Sequence, residues 1–166
     1  MNVETINLWA QLIASIGVIV SLFYLAAQVR QNTRSARAIV VDSLARSMHE
    51  LAFEIAKNDV LLKLVISLQD WNSATELERA RYASFILGYF KLFENAWFQM
   101  RKGTLERDQW EGYDAFLRTV WVHPTVKEWW SMRRTFFAPG FRQYVENCEE
   151  APGVPSLGEL VQRESR

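Results

Sequence analysis

Residues 8–27 read LWAQLIASIGVIVSLFYLAA and contain no charged side chain. At about 1.5 Å per residue, an α-helix of this length extends roughly 30 Å, the thickness of the hydrocarbon core of a bilayer. Trp9 and Tyr24 lie near its two ends, where aromatic side chains prefer the membrane interface. We therefore predict a transmembrane helix over residues 8–28, preceded by a short extracytoplasmic end at residues 1–7. The alternative is a buried helix of a soluble protein.

The charges that flank this segment predict its orientation. Glu4 is the only charged side chain before it, whereas Arg30, Arg34 and Arg37 follow it and precede the first acidic residue, Asp42. The positive-inside rule then places the N-terminus outside and the rest of the chain in the cytoplasm, as in an inner (plasma) membrane protein. The three arginines are also candidates for contact with anionic lipid. A cleaved signal peptide would need basic residues ahead of the apolar segment, so we expect the anchor to be retained.

Small side chains recur along one stripe of this helix, at spacings of four, three and four residues: Ala10, Ala14, Gly17 and Ser21. Two membrane helices associate most readily where small residues let their backbones approach. The stripe predicts association with copies of the same chain or with another membrane protein, although small residues are also common in any membrane helix. Gln11 and Ser15 lie on a neighbouring sector, and a pore formed by several copies would require them to face its axis.

The rest of the chain predicts an all-α fold, with a cytoplasmic helical domain at residues 29–150 and a flexible or loosely docked tail at 151–166. Apolar residues at helical spacing continue from the membrane segment to about Asn58, and Asn32-Thr33 is the place where this helix would break. A capping box, Thr75-x-x-Glu78, opens a central aromatic helix that Gly103 closes.

Three further residues mark the starts of later helices. Thr104 is suited to cap the helix after Gly103, and Pro124 and Pro139 suit the first turns of shorter helices over residues 124–136 and 139–148. No segment alternates cleanly between apolar and polar residues as a strand would.

Composition excludes several classes of function. The 166 residues include 19 basic and 19 acidic side chains, so no net charge attracts nucleic acid. Cys148 is the only cysteine, and neither His49 nor His123 follows an acidic residue by three positions, as a helical metal site would require. Glycine-rich phosphate loops are also missing from the sequence. We predict no metal and no cofactor, and catalysis is the less favoured class.

Glu94 is the most unusual polar residue, because it interrupts the aromatic helix face YFKLFENAWF. A carboxylate there would have a raised pKa unless a cation such as Lys91 or Arg101 reached it. We interpret it as an ion pair that fixes helix register. The alternative is a ligand-binding or enzymatic pocket in which Glu94 and Trp97 would participate.

Trp129 and Arg133 are four residues apart, so an aromatic and a basic side chain would lie on the same face of a helix. They predict core packing with a guanidinium stacked on an indole, or alternatively docking on anionic lipid.

Several segments resemble a widespread family of bacterial proteins with one N-terminal membrane helix and a cytoplasmic helical domain. The resemblance rests first on the segment LAAQVRQNTR at residues 25–34. It continues through Phe-Glu-Asn at 93–95, Trp110, Trp129-Trp130 with Arg133-Arg134, and Phe141-Arg142-x-Tyr144, and so covers most of the chain. It implies the same topology and carries no activity, substrate or cofactor.

These features together predict a membrane-anchored helical interaction or accessory protein that associates with itself or belongs to a larger membrane complex. The alternatives are a membrane-tethered ligand-binding or enzymatic domain with a pocket near Glu94, and an oligomeric pore.

Overall fold

The computed structural model describes residues 2–68 and 70–148, without the side chains of Thr5, Ile6 and Ala10. Within these ranges the regular elements are all helical and no strand occurs: α1 (Val3–Lys57), α2 (Asp59–Ser67), α3 (Glu76–Arg101), α4 (Arg107–Trp121), α5 (Pro124–Arg133) and α6 (Pro139–Glu146), with short 3-10 helices at Trp71–Ser73 and Arg134–Phe136. The prediction of an all-α fold is confirmed. The predicted tail at 151–166 lies outside the described residues.

The chain divides into two units, Met1–Ile39 and Val40–Arg166. The first unit is the N-terminal part of α1, which is long and apolar enough to cross a membrane. Its large apolar side chains are exposed: Leu8 is 67% exposed, Ile13 67% and Phe23 74%. The helix does not break at Asn32-Thr33, where the Thr33 hydroxyl donates a hydrogen bond to the carbonyl of Val29 at 2.9 Å.

The second unit begins inside α1 and contains α2 to α6. Leu44 is the residue of α1 that is most deeply buried in this unit, at 1% exposure. α1 ends at Lys57, and the Asn58 side chain caps α2 by accepting a hydrogen bond from the Leu61 N–H at 3.1 Å. An asparagine side chain that bonds to nearby backbone competes with the continuing helix, so α2 starts as a separate element. We did not predict α2 from the sequence.

Local hydrogen bonds set both ends of α3. The Thr75–Glu78 capping box is present, as predicted. At the other end Gly103 has φ +72°, in the left-handed region, and its N–H donates to the carbonyl of Met100 while the N–H of Thr104 donates to that of Gln99. The prediction that Thr104 caps α4 is wrong: its hydroxyl donates to the Gln99 carbonyl at 2.9 Å, and α4 begins only at Arg107.

α3 is the centre of the second unit, and its aromatic side chains form most of the core. Phe90 is fully buried and stacks on Trp129, with 5.8 Å between the ring centres. The Tyr89 hydroxyl donates to the carbonyl of Phe116 on α4 at 3.1 Å. The Arg133 guanidinium lies 5.8 Å from the Trp129 ring centre. The predicted core packing and stacking of this segment are therefore confirmed.

Candidate functional site

Glu94 is buried on α3, and both of its carboxylate oxygens accept hydrogen bonds. Lys91 Nζ donates to Oε2 at 2.7 Å, and the backbone N–H of Ala138 donates to Oε1 at 2.6 Å. Lys91 Nζ also donates to the carbonyl of Phe136 at 2.8 Å and lies 4.7 Å from the ring centre of Phe137. The pair therefore ties α3 to the segment that leads into α6. Each carboxylate oxygen thus has a donor within the domain, as expected of a structural ion pair.

The other two residues proposed for the Glu94 site form a pair of their own. The Arg101 guanidinium lies over the Trp97 ring, 4.8 Å from its centre. The ring also packs tightly against Gly140, because a Cβ added there would lie 2.9 Å from Trp97 Cη2. The structure thus places Lys91 with Glu94 and Arg101 with Trp97. Trp97 and Arg101 border a small depression with the α6 region, and Glu94 does not line it.

The small-residue stripe of α1 is exposed at Ala14, Gly17 and Ser21, while the side chain of Ala10 lies outside the described residues. A Cβ added at Gly17 would meet nothing within 4 Å. The Ser21 hydroxyl donates to the carbonyl of Gly17 at 2.8 Å, so its hydrogen bond is made within its own helix.

The polar sector next to this stripe behaves in the same way. The Ser15 hydroxyl donates to the carbonyl of Gln11 at 2.8 Å, again within the helix. The predicted lipid-facing arginines, Arg30, Arg34 and Arg37, are exposed.

A cavity of about 740 Å³ lies within the second unit, bounded by the C-terminal part of α1 and by α2, α3, α4 and the start of α5. Its inner wall is formed by buried side chains: Val65, Tyr82, Ile86, Tyr89, Val120 and Val126. Exposed residues form its rim: Ala45, His49 and Ala52 on α1, and Gln109 and Gly112 on α4. The cavity therefore opens to solvent between α1 and α4.

His123 and Thr119 place polar side-chain atoms on the cavity wall. His123 is the N-cap residue of α5 but makes no side-chain cap hydrogen bond, and its Nδ1 and Nε2 are both buried without a hydrogen-bond partner. Burial lowers the pKa of His123 from its usual value of 6.5. The Thr119 hydroxyl, in contrast, donates to the Ala115 carbonyl at 3.0 Å.

We did not predict this cavity from the sequence. Its wall includes both histidines of the chain, His49 and His123, which are far apart in the sequence. The only sequence signal was the histidine directly before Pro124, at the start of a helix whose cap position usually holds Ser, Thr, Asp or Asn. The candidate pocket thus lies elsewhere than near Glu94.

No group of three or more His, Cys, Asp or Glu side chains suited to hold a metal ion occurs in residues 2–68 and 70–148. Comparison with protein families, with curated proteins and with solved structures finds no match to this chain.

Proposed function

We propose that this chain is a single-pass membrane protein whose helical domain acts as an interaction or accessory module at the cytoplasmic face of the inner membrane. The observation that carries the proposal is the exposure of the apolar segment of α1, in which none of the described side chains is buried. A core helix of a soluble protein would bury such a segment. Exposed apolar surface of this extent requires lipid or another apolar partner.

The charges after the segment support the proposed orientation. Arg30 and Arg34 are exposed and follow the apolar segment directly, whereas Glu4 precedes it. A basic side chain near an anionic membrane surface contributes about 1 kcal/mol to binding. Resemblance to the bacterial family with the LAAQVRQNTR segment supports the same topology. Because of the exposed arginines, anionic lipid is the first proposed partner.

The exposed stripe at Ala14, Gly17 and Ser21 supports the second proposed partner, another copy of this chain or another membrane protein. Native mass measurement of the full chain in mild detergent tests this: we expect a mass above that of one chain. Gly17→Leu should lower the fraction of assembled chain, whereas Val20→Leu, a matched change in the same segment, should not. A single chain with nothing attached would contradict association.

Membrane anchoring is tested by fractionation of cells that express the full chain. We expect the wild-type protein in the membrane fraction after an alkaline carbonate wash. Ile16→Arg with Val20→Arg should shift it to the soluble or aggregated fraction, because each arginine at the centre of a membrane helix costs about 3 kcal/mol.

The matched control places two arginines at positions that are at least as exposed as Ile16 and Val20 but lie outside residues 8–28. Ile39 is 68% exposed and Leu77 62%. Ile39→Arg with Leu77→Arg should leave the protein in the membrane. Wild-type protein that is monodisperse in the aqueous fraction without detergent would contradict the proposal.

A further inference from the structure

The cavity between α1 and α4 is far larger than an irregularity of packing. Side chains in protein interiors leave few voids larger than one water molecule. The volume here is about 740 Å³. Sites for small molecules typically occupy about 300–1,000 Å³ and are lined mainly by apolar and aromatic side chains. The cavity has the size and the lining of such a site.

The wall of the cavity carries no formal charge. No Asp, Glu, Lys or Arg is among its lining residues in the part of the chain that the structure describes. A charged group held against this wall would therefore lose its hydration without gaining a counter-ion, which is strongly unfavourable. The occupant that suits this wall is uncharged.

Among the lining residues that the structure describes, His123 is the one whose buried side-chain polar atoms have no hydrogen-bond partner. Neither of its ring nitrogens has a partner within the described residues. A neutral imidazole offers one N–H donor and one acceptor nitrogen. The Thr119 hydroxyl, also on the wall, already donates its hydrogen to the Ala115 carbonyl. A ligand oxygen beside His123 would therefore relieve a buried polar group that is otherwise unsatisfied.

We propose that this cavity binds an uncharged, largely apolar molecule with one hydroxyl or carbonyl oxygen, and that this oxygen hydrogen-bonds to His123 once the imidazole turns toward it. The site is built entirely from residues of the second unit, so the proposal does not depend on membrane anchoring. If the chain is anchored, the bilayer is a ready source of neutral molecules of this kind.

The first test is competition for the neutral dye Nile red, with the full chain in lipid nanodiscs and empty nanodiscs of the same lipid as the blank. Decan-1-ol, decanoate and decylammonium serve as competitors with the same alkyl chain and different charge. We expect the dye to bind saturably and decan-1-ol to displace it. The two ions should compete at least about tenfold more weakly than decan-1-ol. Decanoate that competes as well as decan-1-ol would overturn the proposal.

The second test blocks the cavity with a substitution that the fold accommodates. Gly112 lies on its rim within α4, and a Cβ added there meets nothing within 4 Å. Gly88 is the matched control: it is an exposed glycine within α3, an added Cβ there also meets nothing within 4 Å, and it does not line the cavity. Leucine is a better helix former than glycine, so both variants should fold.

We expect Gly112→Leu to abolish saturable dye binding and Gly88→Leu to retain it, with unchanged circular dichroism spectra for both. Dye binding that survives Gly112→Leu would overturn the assignment to this cavity. The proposal would equally be overturned if the wild-type chain bound no dye and instead paired with a second copy in a way that Gly112→Leu abolished.

The third test addresses His123. His123→Phe keeps an aromatic ring and removes both nitrogens. It should lower the affinity for decan-1-ol roughly three- to tenfold, the range expected for the loss of one hydrogen bond. The affinity for butylbenzene, which has no oxygen, should be unchanged. Equal losses for both ligands would show that His123 acts only through the shape of the wall, and would overturn its role as hydrogen-bonding partner.

Discussion

Glu94 and Lys91 form an ion pair that is buried on one side and solvated on the other. The Glu94 side chain is 11% exposed and that of Lys91 47%. The pair also holds neighbouring backbone in place, because the same carboxylate accepts a hydrogen bond from the N–H of Ala138 and the same ammonium donates one to the carbonyl of Phe136. Its main structural consequence is a fixed path for the chain between the end of α5 and α6.

Glu94→Gln should lower the free energy of unfolding by about 1–3 kcal/mol, because the amide NH₂ would face one of the two donors, Lys91 or the Ala138 N–H, and a buried charge-assisted hydrogen bond would be lost. The half-exposed Lys91 favours the lower part of that range. The measurement is denaturant unfolding followed by tryptophan fluorescence.

A matched control comes from Asp42 and Arg46, which form a salt bridge at 3.0 Å with both side chains about 70% exposed (72% and 70%). Asp42→Asn should change the free energy of unfolding by no more than about 0.5 kcal/mol. Equal stability of Glu94→Gln and the wild type would contradict the ion-pair interpretation.

His123 links stability to pH. Since burial lowers its folded-state pKa below 6.5, the unfolded chain binds the proton more readily than the folded chain. The free energy of unfolding should therefore be highest above about pH 7 and fall as the pH decreases through about 6.5 toward the lower folded-state pKa. His123→Phe should remove this dependence over about pH 7.5 to 5.5, in denaturant titrations at fixed ionic strength. His49→Gln, at the exposed histidine of the same cavity, should retain it, and a flat profile for the wild type would contradict the prediction.

The bounds of α3 are set by local interactions at its two ends. Its start is fixed by Thr75, whose N–H donates to Glu78 Oε2 at 2.8 Å and whose hydroxyl accepts from the Glu78 N–H at 3.3 Å. The Thr75 hydroxyl also donates to Glu78 Oε2 at 2.7 Å, and this hydrogen bond, together with that from the Thr75 N–H, lowers the pKa of Glu78. The start matters because α3 carries the largest share of the aromatic core, from Tyr82 to Trp97.

Thr75→Ala should lower the free energy of unfolding by about 1 kcal/mol, since the first turn of α3 would lose its side-chain acceptor. Ser84→Ala is the control within the same helix: the Ser84 hydroxyl is exposed and donates only to the Ala80 carbonyl. Alanine is the better helix former, so this control should be neutral or slightly stabilising. Both are measured by thermal unfolding, and a cap variant as stable as the control would show that the box is dispensable.

For the molecule as a whole, Cys148 makes the proposed topology measurable. It is the only cysteine of the chain, and it is 7% exposed. Burial raises the pKa of its thiol to about 11, so the reactive thiolate is scarce at neutral pH. The native thiol should therefore react slowly with maleimides, which leaves a low background for cysteines introduced elsewhere.

Asn2→Cys and Met132→Cys place thiols at exposed positions in the two units. In intact spheroplasts a membrane-impermeant maleimide should label Asn2→Cys, and it should label Met132→Cys only after permeabilisation, because the positive-inside rule places the helical domain in the cytoplasm. The labelled fraction is read by a gel shift. The reverse pattern would contradict the orientation, and labelling of both variants before permeabilisation would contradict the span itself.

The sequence by itself determined the features whose causes are local. An uncharged run of residues 8–27 is sufficient to define an apolar helix, because its hydropathy does not depend on any other part of the chain. Likewise Thr75 and Glu78 are three residues apart, and Gly103 supplies its own left-handed φ, so the ends of α3 followed directly. Lys91 was predictable as a partner of Glu94 for the same reason. The end of the first helix at about Asn58 was also predicted, but the short helix α2 that Asn58 caps was not.

Only the tertiary structure decided which distant groups meet. The second hydrogen bond to Glu94 comes from the backbone of Ala138, and Arg101, an equally plausible cation in the sequence, lies over Trp97 instead. The cavity combines residues from Ala45 to Val126, on parts of five helices. The physical reason is that a space between helices depends on how their side chains fill it together, and helical periodicity predicts which face is apolar without predicting how completely that face is packed.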